Sequence, residues 1–427
     1  MSDLLTPRDI SALLLISALC LSCTEPTQGE GSSTVGGEAP DSEVAGSIAG
    51  AELNGGEQIG GGGSSAGATS GGAQPGGEVP APPREGVGVL GYASHSVEGV
   101  NMEVIGVEGD GLNRPVALQI NPARPDELWV LNKADDSVVV FFEVQGEAPR
   151  SNQFFDPYAV HFLSSPTSIS FDPYGQFATC QDSNNGGDYF MGPTLWSSDF
   201  DIFARSNPDA VSFLGGTDLG SHLDMLHESP HCMGVAWETE NQYWVFEGET
   251  SSIARVDFGE DHGPGFDDHS DGVIVRYAEG QVSRVAGFPS HLVFDHESHR
   301  LLIADTGNQR IGVLDTLQEG SAMIRLPVVE PGTTLLLVDE GPSVESLCPE
   351  GTFRGPTGLT LHDGLLYVAD TASGTISAVH PETCELVDWL DTGIPSPGLM
   401  GIAFDQEGHL FAVDGVGNRV LRFTALP

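Results

Sequence analysis

The feature that most constrains this chain is a motif of three short apolar segments that recurs six times. In each copy an apolar segment leads through a turn to a second apolar segment, which ends before an acid or an amide, and a third segment follows. The clearest copies span 288–310 and 398–419. Such a repeat predicts a set of small sheets, because each unit can bury its apolar faces only against its neighbours.

The six copies align at two positions. Their first strands start at Pro115, Pro166, Met233, Pro289, Pro356 and Leu399. The residues directly after their second strands are Asn132, Gln181, Glu247, Asp305, Asp370 and Asp414. A short carboxylate or amide there can accept backbone N–H bonds in the turn that follows.

This pattern resembles the NHL-repeat family of β-propellers, most specifically in the stretch from Asp305 to Arg310. The resemblance implies an all-β fold, a six-bladed NHL-like β-propeller over 88–427. The last copy ends after its third strand, so we expect the segment from Val97 to Val107 to supply the outer strand of that blade and close the ring.

The N-terminal part has a different composition. The apolar run from Ile10 to Leu21 is too short to span a bilayer and resembles a lipoprotein-type signal peptide over 1–23, with Cys23 as the lipidated residue. A plain secretory signal is the alternative. Residues 24–87 are rich in Gly, Ser, Pro and Glu and predict a disordered tether. We therefore expect an exported protein, lipid-anchored in a bacterial cell envelope or secreted.

The chain is strongly acidic, with 61 Asp and Glu against 16 Lys and Arg and a formal charge of −45. This balance argues against nucleic acid as a partner and leaves a lipid anchor as the expected contact with a membrane. The charge either keeps a monomer soluble or attracts cationic ligands. The sequence leaves open whether the partner is a small molecule, a peptide or a protein.

Four cysteines lie beyond the signal, and in an exported chain an even number predicts disulfides. Three pairings are possible. In a propeller, Cys180 ends the second strand of blade 2 and Cys232 starts blade 3, while Cys348 and Cys384 flank blade 5. The blade alignment therefore favours Cys180 with Cys232 and Cys348 with Cys384.

Histidines cluster where the repeat is least regular. We call the face on which the first strand of each blade starts the N-face, and the opposite face the C-face. The insertion before blade 3 brings His227 and His231 to the N-face, where His291 opens the first strand of blade 4. These three, with His222 as a substitute third ligand, are candidate ligands of Zn²⁺ or Cu²⁺. The alternative is that they hydrogen-bond to loop backbone.

The Pro230-His231 pair also resembles strand starts in the related propeller of the peptidyl-hydroxyglycine α-amidating lyase. In that enzyme, histidines that follow a proline hold a zinc ion on the channel axis. The resemblance implies a metal-dependent lyase or hydrolase as an alternative function.

A second group lies between the third and fourth strands of blade 3. Asp267, His269 and Asp271 place ligands on alternate residues before Gly272, as in the first half of a calcium loop. The twelfth position is Ala278, so the loop is not an EF-hand. A metal-free turn is the alternative to a Ca²⁺ site, and the strand order predicts that this group and the first histidine group lie on opposite faces.

No nucleotide-phosphate loop and no nucleophile elbow occur in the sequence. The function that we expect is therefore a binding module, an exported propeller that presents its N-face to a ligand or a protein. The metal-dependent enzyme is the alternative.

Overall fold

The computed structural model describes residues 85–427 except 185–188, 211–217, 267 and 329–334. The predicted signal peptide with Cys23, and all but the last three residues of the predicted tether, lie outside the described residues. Asp267 of the predicted calcium loop lies outside them as well. Within the described part, no helix has the length and apolar character needed to cross a bilayer.

The described part of the chain contains six sheets. Three consist of four consecutive antiparallel strands, and the other three include a strand from elsewhere in the chain. Blade 1 contains β2 (Pro115–Asn121), β3 (Arg124–Asn132), β4 (Ser137–Phe142) and β5 (Arg150–Phe154). Blade 2 contains β6 (Pro166–Phe171), β7 (Gln176–Gln181), β8 (Thr194–Ser197) and β9 (His222–Met225). Blade 3 contains β10 (Cys232–Thr239), β11 (Gln242–Glu247), β12 (Ser252–Asp257) and β13 (Val273–Tyr277).

The other three sheets follow the same plan. Blade 4 contains β14 (Leu292–Asp295), β15 (Arg300–Asp305), β16 (Arg310–Asp315) and β19 (Glu345–Cys348). Blade 5 contains β20 (Pro356–His362), β21 (Leu365–Asp370), β22 (Thr375–Val379) and β23 (Leu386–Asp391). Blade 6 contains β24 (Leu399–Phe404), β25 (Leu410–Asp414), β26 (Arg419–Ala425) and β1 (Val100–Gly106).

The ring is closed by the first and last strands of the chain. β1 pairs antiparallel with β26, with Val100 opposite Ala425 and Val104 opposite Leu421. The first strand of each blade contacts the first strand of the next, and β24 contacts β2. The predicted six-bladed propeller and its closure are therefore confirmed. In the closed ring, each blade packs against a blade on either side.

Blade 3 is wider than the repeat predicted. A hairpin of β17 (Ala322–Arg325) and β18 (Leu335–Glu340) leaves blade 4 after β16 and joins the outer edge of blade 3. β18 lies parallel to β13, with Val273 opposite Leu335. This pairing covers the outer edge that β13 would otherwise expose.

The six polar residues expected directly after the second strands are instead the last residues of those strands, and all six are buried. Asp370 and Asp414 accept N–H bonds from the following turn, as predicted, for example from Ala372 to Asp370 at 2.9 Å and from Gly417 to Asp414 at 2.7 Å. Gln181 instead donates to the carbonyl of Phe162. The repeated position therefore fixes loops, although not always the same loop.

Two disulfides link neighbouring blades. Cys180 at the N-face end of β7 bonds to Cys232 at the start of β10, and Cys348 in β19 bonds to Cys384 in the turn before β23. This is the pairing that the blade alignment favoured. Disulfides are typical of proteins from oxidising compartments.

Candidate functional site

The central channel narrows to a neck near the N-face. Each blade contributes one first-strand residue to the neck, the residue that lies opposite the last but one residue of its second strand. In five blades this first-strand residue is small. In blade order the six residues are Ala117, Ser168, Gly234, His291, Gly358 and Gly401. A Cβ at Gly234 would lie 2.0 Å from the carbonyl oxygen of Ser290, so the first strands approach each other too closely for a larger residue.

His291 is the exception, and its ring occupies the axis that the small residues leave open. Nε2 lies 3.1 Å from the carbonyl oxygen of Thr167 in blade 2. The ring also lies against Gly401 of blade 6, because a Cβ built on that glycine would be only 3.0 Å from Cε1 of His291. One imidazole of blade 4 therefore touches two other blades and closes the neck.

Burial keeps this imidazole neutral. The pKa of His291 is lowered to about 4, because desolvation disfavours the charged ring more than the hydrogen bond to Thr167 favours it. The Thr167 carbonyl can only accept, so the proton of the neutral ring lies on Nε2. Nδ1 makes no hydrogen bond to any described residue and is an acceptor at the edge of the channel.

Beyond the neck the channel widens into a cavity of about 440 Å³. It is lined by the later halves of the first strands, so it lies toward the C-face. Every blade contributes an apolar side chain: Leu118, Ile169, Val235, Phe294, Leu361 and Ile402. A few polar groups, among them Gln119 and Ser168, interrupt this lining, and His291 forms the floor. The exposed surface of the cavity is therefore mixed, with more polar than apolar area, and a concave site that combines both kinds of group can orient a small molecule.

The C-face mouth of the cavity is aromatic and acidic. Trp237 and His296 lie there with ring centroids 5.1 Å apart, next to the exposed Glu297. A second cavity of about 530 Å³ adjoins the mouth and is lined by carboxylates of Asp295, Glu297, Asp363 and Glu382. No Lys or Arg is among the described residues that line the two cavities. Arg300 pairs with Glu382 at 2.5 Å beside the second cavity, so the preference of the mouth for a cation rests on Glu297 and Asp363.

The predicted N-face histidines do not converge. His231 Nδ1 lies 3.0 Å from Asp182 Oδ1, a carboxylate that also pairs with Lys133. His227 Nε2 lies 3.3 Å from Nε2 of His161. His291 lies at the neck, as described above. His227, His231 and His291 therefore do not form one three-ligand site, because their ligand atoms are not all within 4.8 Å of one another.

His222 is also not a substitute ligand for that set. It lies in β9, is fully buried, and its Nδ1 lies 2.9 Å from the carbonyl oxygen of Leu219. Its ring stacks on Phe162 with centroids 3.5 Å apart. Burial lowers the pKa of His222 to about 3. This histidine packs and bonds to backbone, which was the alternative named for the group.

The expected separation of the two histidine groups is wrong. His269 of the predicted calcium loop places Nδ1 2.6 Å from Oδ1 of Asp224, which lies in β9 next to the first group. The prediction placed His222, His227 and His231, at the end of the insertion, together on the N-face. The structure instead forms β9 there, and a fourth strand starts at the C-face, where the β12–β13 connection also lies.

The calcium loop itself is tested only in part, since Asp267 lies outside the described residues. Of its other members, His269 bonds to Asp224, whereas Asp271 lies 2.9 Å from Nε2 of His262. The side chains of His269 and Asp271 therefore face different partners.

Comparison with known proteins gives one curated relative. The "NHL repeat-containing protein 2" of Bos taurus is 31% identical over 121 residues, which is 28% of this chain and 14% of the relative. The fold is an NHL-like six-bladed propeller. No protein-family profile matches the chain. Because the match spans a small part of the relative, it says nothing about activity or partners.

Solved structures give only distant likenesses. An auxiliary nutrient binding protein from Bacteroides ovatus has a TM-score of 0.46 at 13% identity, with 74% of this chain and 70% of that chain covered. A protein of unknown function from Bacteroides thetaiotaomicron has a TM-score of 0.48 at 10% identity, with 77% and 76% covered. Likenesses at this level carry no argument about what this propeller binds.

Sequence reasoning missed the cavity and its acidic mouth. The neck was not predicted either, because the alignment of the first strands sets Val235 level with His291, whereas the pairing of Gly234 with Phe246 puts Gly234 there. The mouth carboxylates belong to turns of blades 4 and 5 that carry no motif, so no sequence signal marks them.

Proposed function

We propose that this propeller is a binding module that takes a small ligand with an apolar body and a cationic amine end. The observation that supports this proposal is the channel cavity of about 440 Å³, to which every blade contributes an apolar residue and whose C-face mouth carries acidic residues. The apolar body would lie between the first strands. The amine would lie near Glu297 and Trp237, where a carboxylate and an aromatic ring both favour a cation.

The proposal moves the binding surface away from the expected N-face. At that end the first-strand residues Val116, Thr167, Met233, Thr357 and Met400 are buried, and neither cavity is lined by any of them. The metal-dependent lyase or hydrolase loses its geometric support, because the three histidines do not meet.

A matched series of probes tests this function. Tryptamine, tryptophol and indole-3-propionate share an indole and carry a positive, a neutral and a negative end. We expect calorimetry to show binding in the order amine, alcohol, acid, and the affinity for the amine to fall as salt is raised. Equal binding of the acid and the amine would contradict an acidic mouth.

Two variants locate the binding site, and a third is the control. Thr360→Trp places a large side chain in the channel lining and should abolish binding of tryptamine. Glu297→Gln should weaken the amine and leave tryptophol unaffected. Glu407→Gln removes a carboxylate that lines neither cavity and should change neither affinity. Tryptamine binding that persists in Thr360→Trp would place the ligand elsewhere.

We also propose that the chain is exported and anchored through Cys23. The two disulfides support export, because such bonds persist in oxidising compartments. Mass spectrometry of the N-terminal peptide from membranes of an expressing bacterium should find acyl chains on Cys23. Cys23→Ala should release the protein into the soluble fraction, and an unmodified Cys23 on a membrane-bound protein would contradict the anchor.

A further inference from the structure

A group of side chains bridges blades 2 and 3 at the start of the outer strands. Asp224 comes from β9, and His262 and Asp271 come from the connection between β12 and β13. One ligand atom of each lies within 4.8 Å of the other two. His262 Nε2 is 2.9 Å from Asp271 Oδ1 and 4.0 Å from Asp224 Oδ2.

The Asp224 carboxylate is buried and half-satisfied. Its side chain has no exposed area, and Oδ1 is held at 2.6 Å both by His269 Nδ1 and by the backbone N–H of Met225. Oδ2 accepts no hydrogen bond from any described residue, although it is buried. A buried carboxylate oxygen without a hydrogen bond lowers the stability of the fold. A cation bound to Asp224 Oδ2 would remove this loss.

The other two groups are accessible and oriented. The side chains of His262 and Asp271 are 19% and 38% exposed, which gives an ion a path from solvent. Oδ2 of Asp271 accepts the backbone N–H of Glu260 at 2.9 Å, which leaves Oδ1 directed at His262. Backbone and histidine contacts that fix carboxylates in this way are typical of the surroundings of metal ligands.

The chemistry of the donor set selects the class of ion. One imidazole nitrogen and two carboxylate oxygens suit Zn²⁺ and similar divalent transition ions, whereas Ca²⁺ prefers six to eight oxygens. The two carboxylates balance the charge of a divalent ion. Bonds of about 2.0–2.2 Å to all three donors require movements of less than about 1 Å from the observed separations.

We propose that Asp224 Oδ2, His262 Nε2 and Asp271 Oδ1 form a binding site for Zn²⁺ or a similar divalent transition ion. The ion joins the outer strand of blade 2 to a loop of blade 3, and its remaining coordination positions face solvent on the side of His262 and Asp271. The site is separate from the channel cavity, so the metal proposal does not depend on the proposed ligand.

The test is calorimetric titration of the chelator-treated full chain with ZnCl₂ and with CaCl₂. We expect one Zn²⁺ per chain and an increase in melting temperature on binding. His262→Ala and Asp271→Asn, which alter partly exposed side chains, should each weaken Zn²⁺ binding by at least about tenfold. Zinc-edge X-ray absorption should show nitrogen or oxygen neighbours at about 2.0–2.2 Å and no sulfur.

His409→Ala is the matched control. His409 also lies close to two carboxylates, with Nδ1 2.8 Å from Asp405 and 3.9 Å from Glu407, but the ligand atoms of these three residues are not all within 4.8 Å of one another. This variant should bind Zn²⁺ like the wild type. Zn²⁺ binding that survives both site variants, no binding at all, or preference for Ca²⁺ would overturn the proposal and leave His262 as a partner of Asp271 alone.

Discussion

Replacing His291 by Gln should remove part of the loss of stability that this propeller suffers in acid. The pKa of His291 is lowered by burial from 6.5 to about 4 in the folded chain. Between these values the unfolded chain binds a proton that the folded chain does not, so the free energy of unfolding falls as the pH falls. The stability is fully present above pH 6.5 and is lost progressively toward pH 4.

The magnitude follows from the two pKa values. A histidine whose pKa is 6.5 in the unfolded chain and about 4 in the folded chain lowers the free energy of unfolding at pH 5 by about 2 kcal/mol. Gln cannot be protonated, and its amide N–H₂ can donate to the Thr167 carbonyl in place of Nε2. The difference in unfolding free energy between pH 7 and pH 5 should therefore be smaller in His291→Gln than in the wild type by about 2 kcal/mol.

Urea unfolding followed by tryptophan fluorescence measures this difference. The wild type should also lose stability through His161 and His222, whose pKa values burial lowers to about 4 and about 3, but both chains share that loss. Thr357→Val is the control, since it changes a buried residue next to the neck that does not titrate and should shift stability equally at both pH values. Identical pH dependence in His291→Gln and the wild type would refute the reasoning.

Three further predictions concern stability, each measured by urea unfolding without reductant. Gly234→Ala places a Cβ 2.0 Å from the Ser290 carbonyl oxygen, so the neck must open, at a cost of about 1–3 kcal/mol or more; a cost near zero would show that the first strands can separate freely. Arg276→Met leaves the buried Glu247 carboxylate without its 2.6 Å cationic partner and should cost about 3–5 kcal/mol, with an unchanged midpoint as the contrary result. Cys348→Ser removes a disulfide of sequence separation 36 and should lower the free energy of unfolding by about 3–4 kcal/mol. A wild type that is equally stable when reductant is added would contradict this prediction.

Much of the fold could be predicted because propeller blades are local units. Each first strand and its hairpin lie within one repeat, so the alternation of apolar residues fixes the strands and their order. The closing strand β1 and the partners of Cys180 and Cys348 followed from strand order alone. The hairpin of β17 and β18 could not be predicted, because it pairs with another blade and the repeat has no equivalent of it.

The candidate site was predicted less well, for a physical reason. A histidine near a loop end can contact anything that packs against the loop, and His222 shows how a short strand inside the segment reversed its expected face. Asp224 stood between predicted residues and carried no signal, because its buried, half-satisfied carboxylate exists only where blades 2 and 3 meet.

The sequence by itself determined the six-bladed ring, since a repeating apolar pattern has few ways to bury its faces. It also indicated the two disulfide pairings, because the blade alignment brought each pair of cysteines to neighbouring blades. Only the tertiary structure decided which end of the channel holds a cavity and which carboxylates surround its mouth. Those properties depend on contacts between blades, and residues far apart in the chain share no pattern that would mark them in advance.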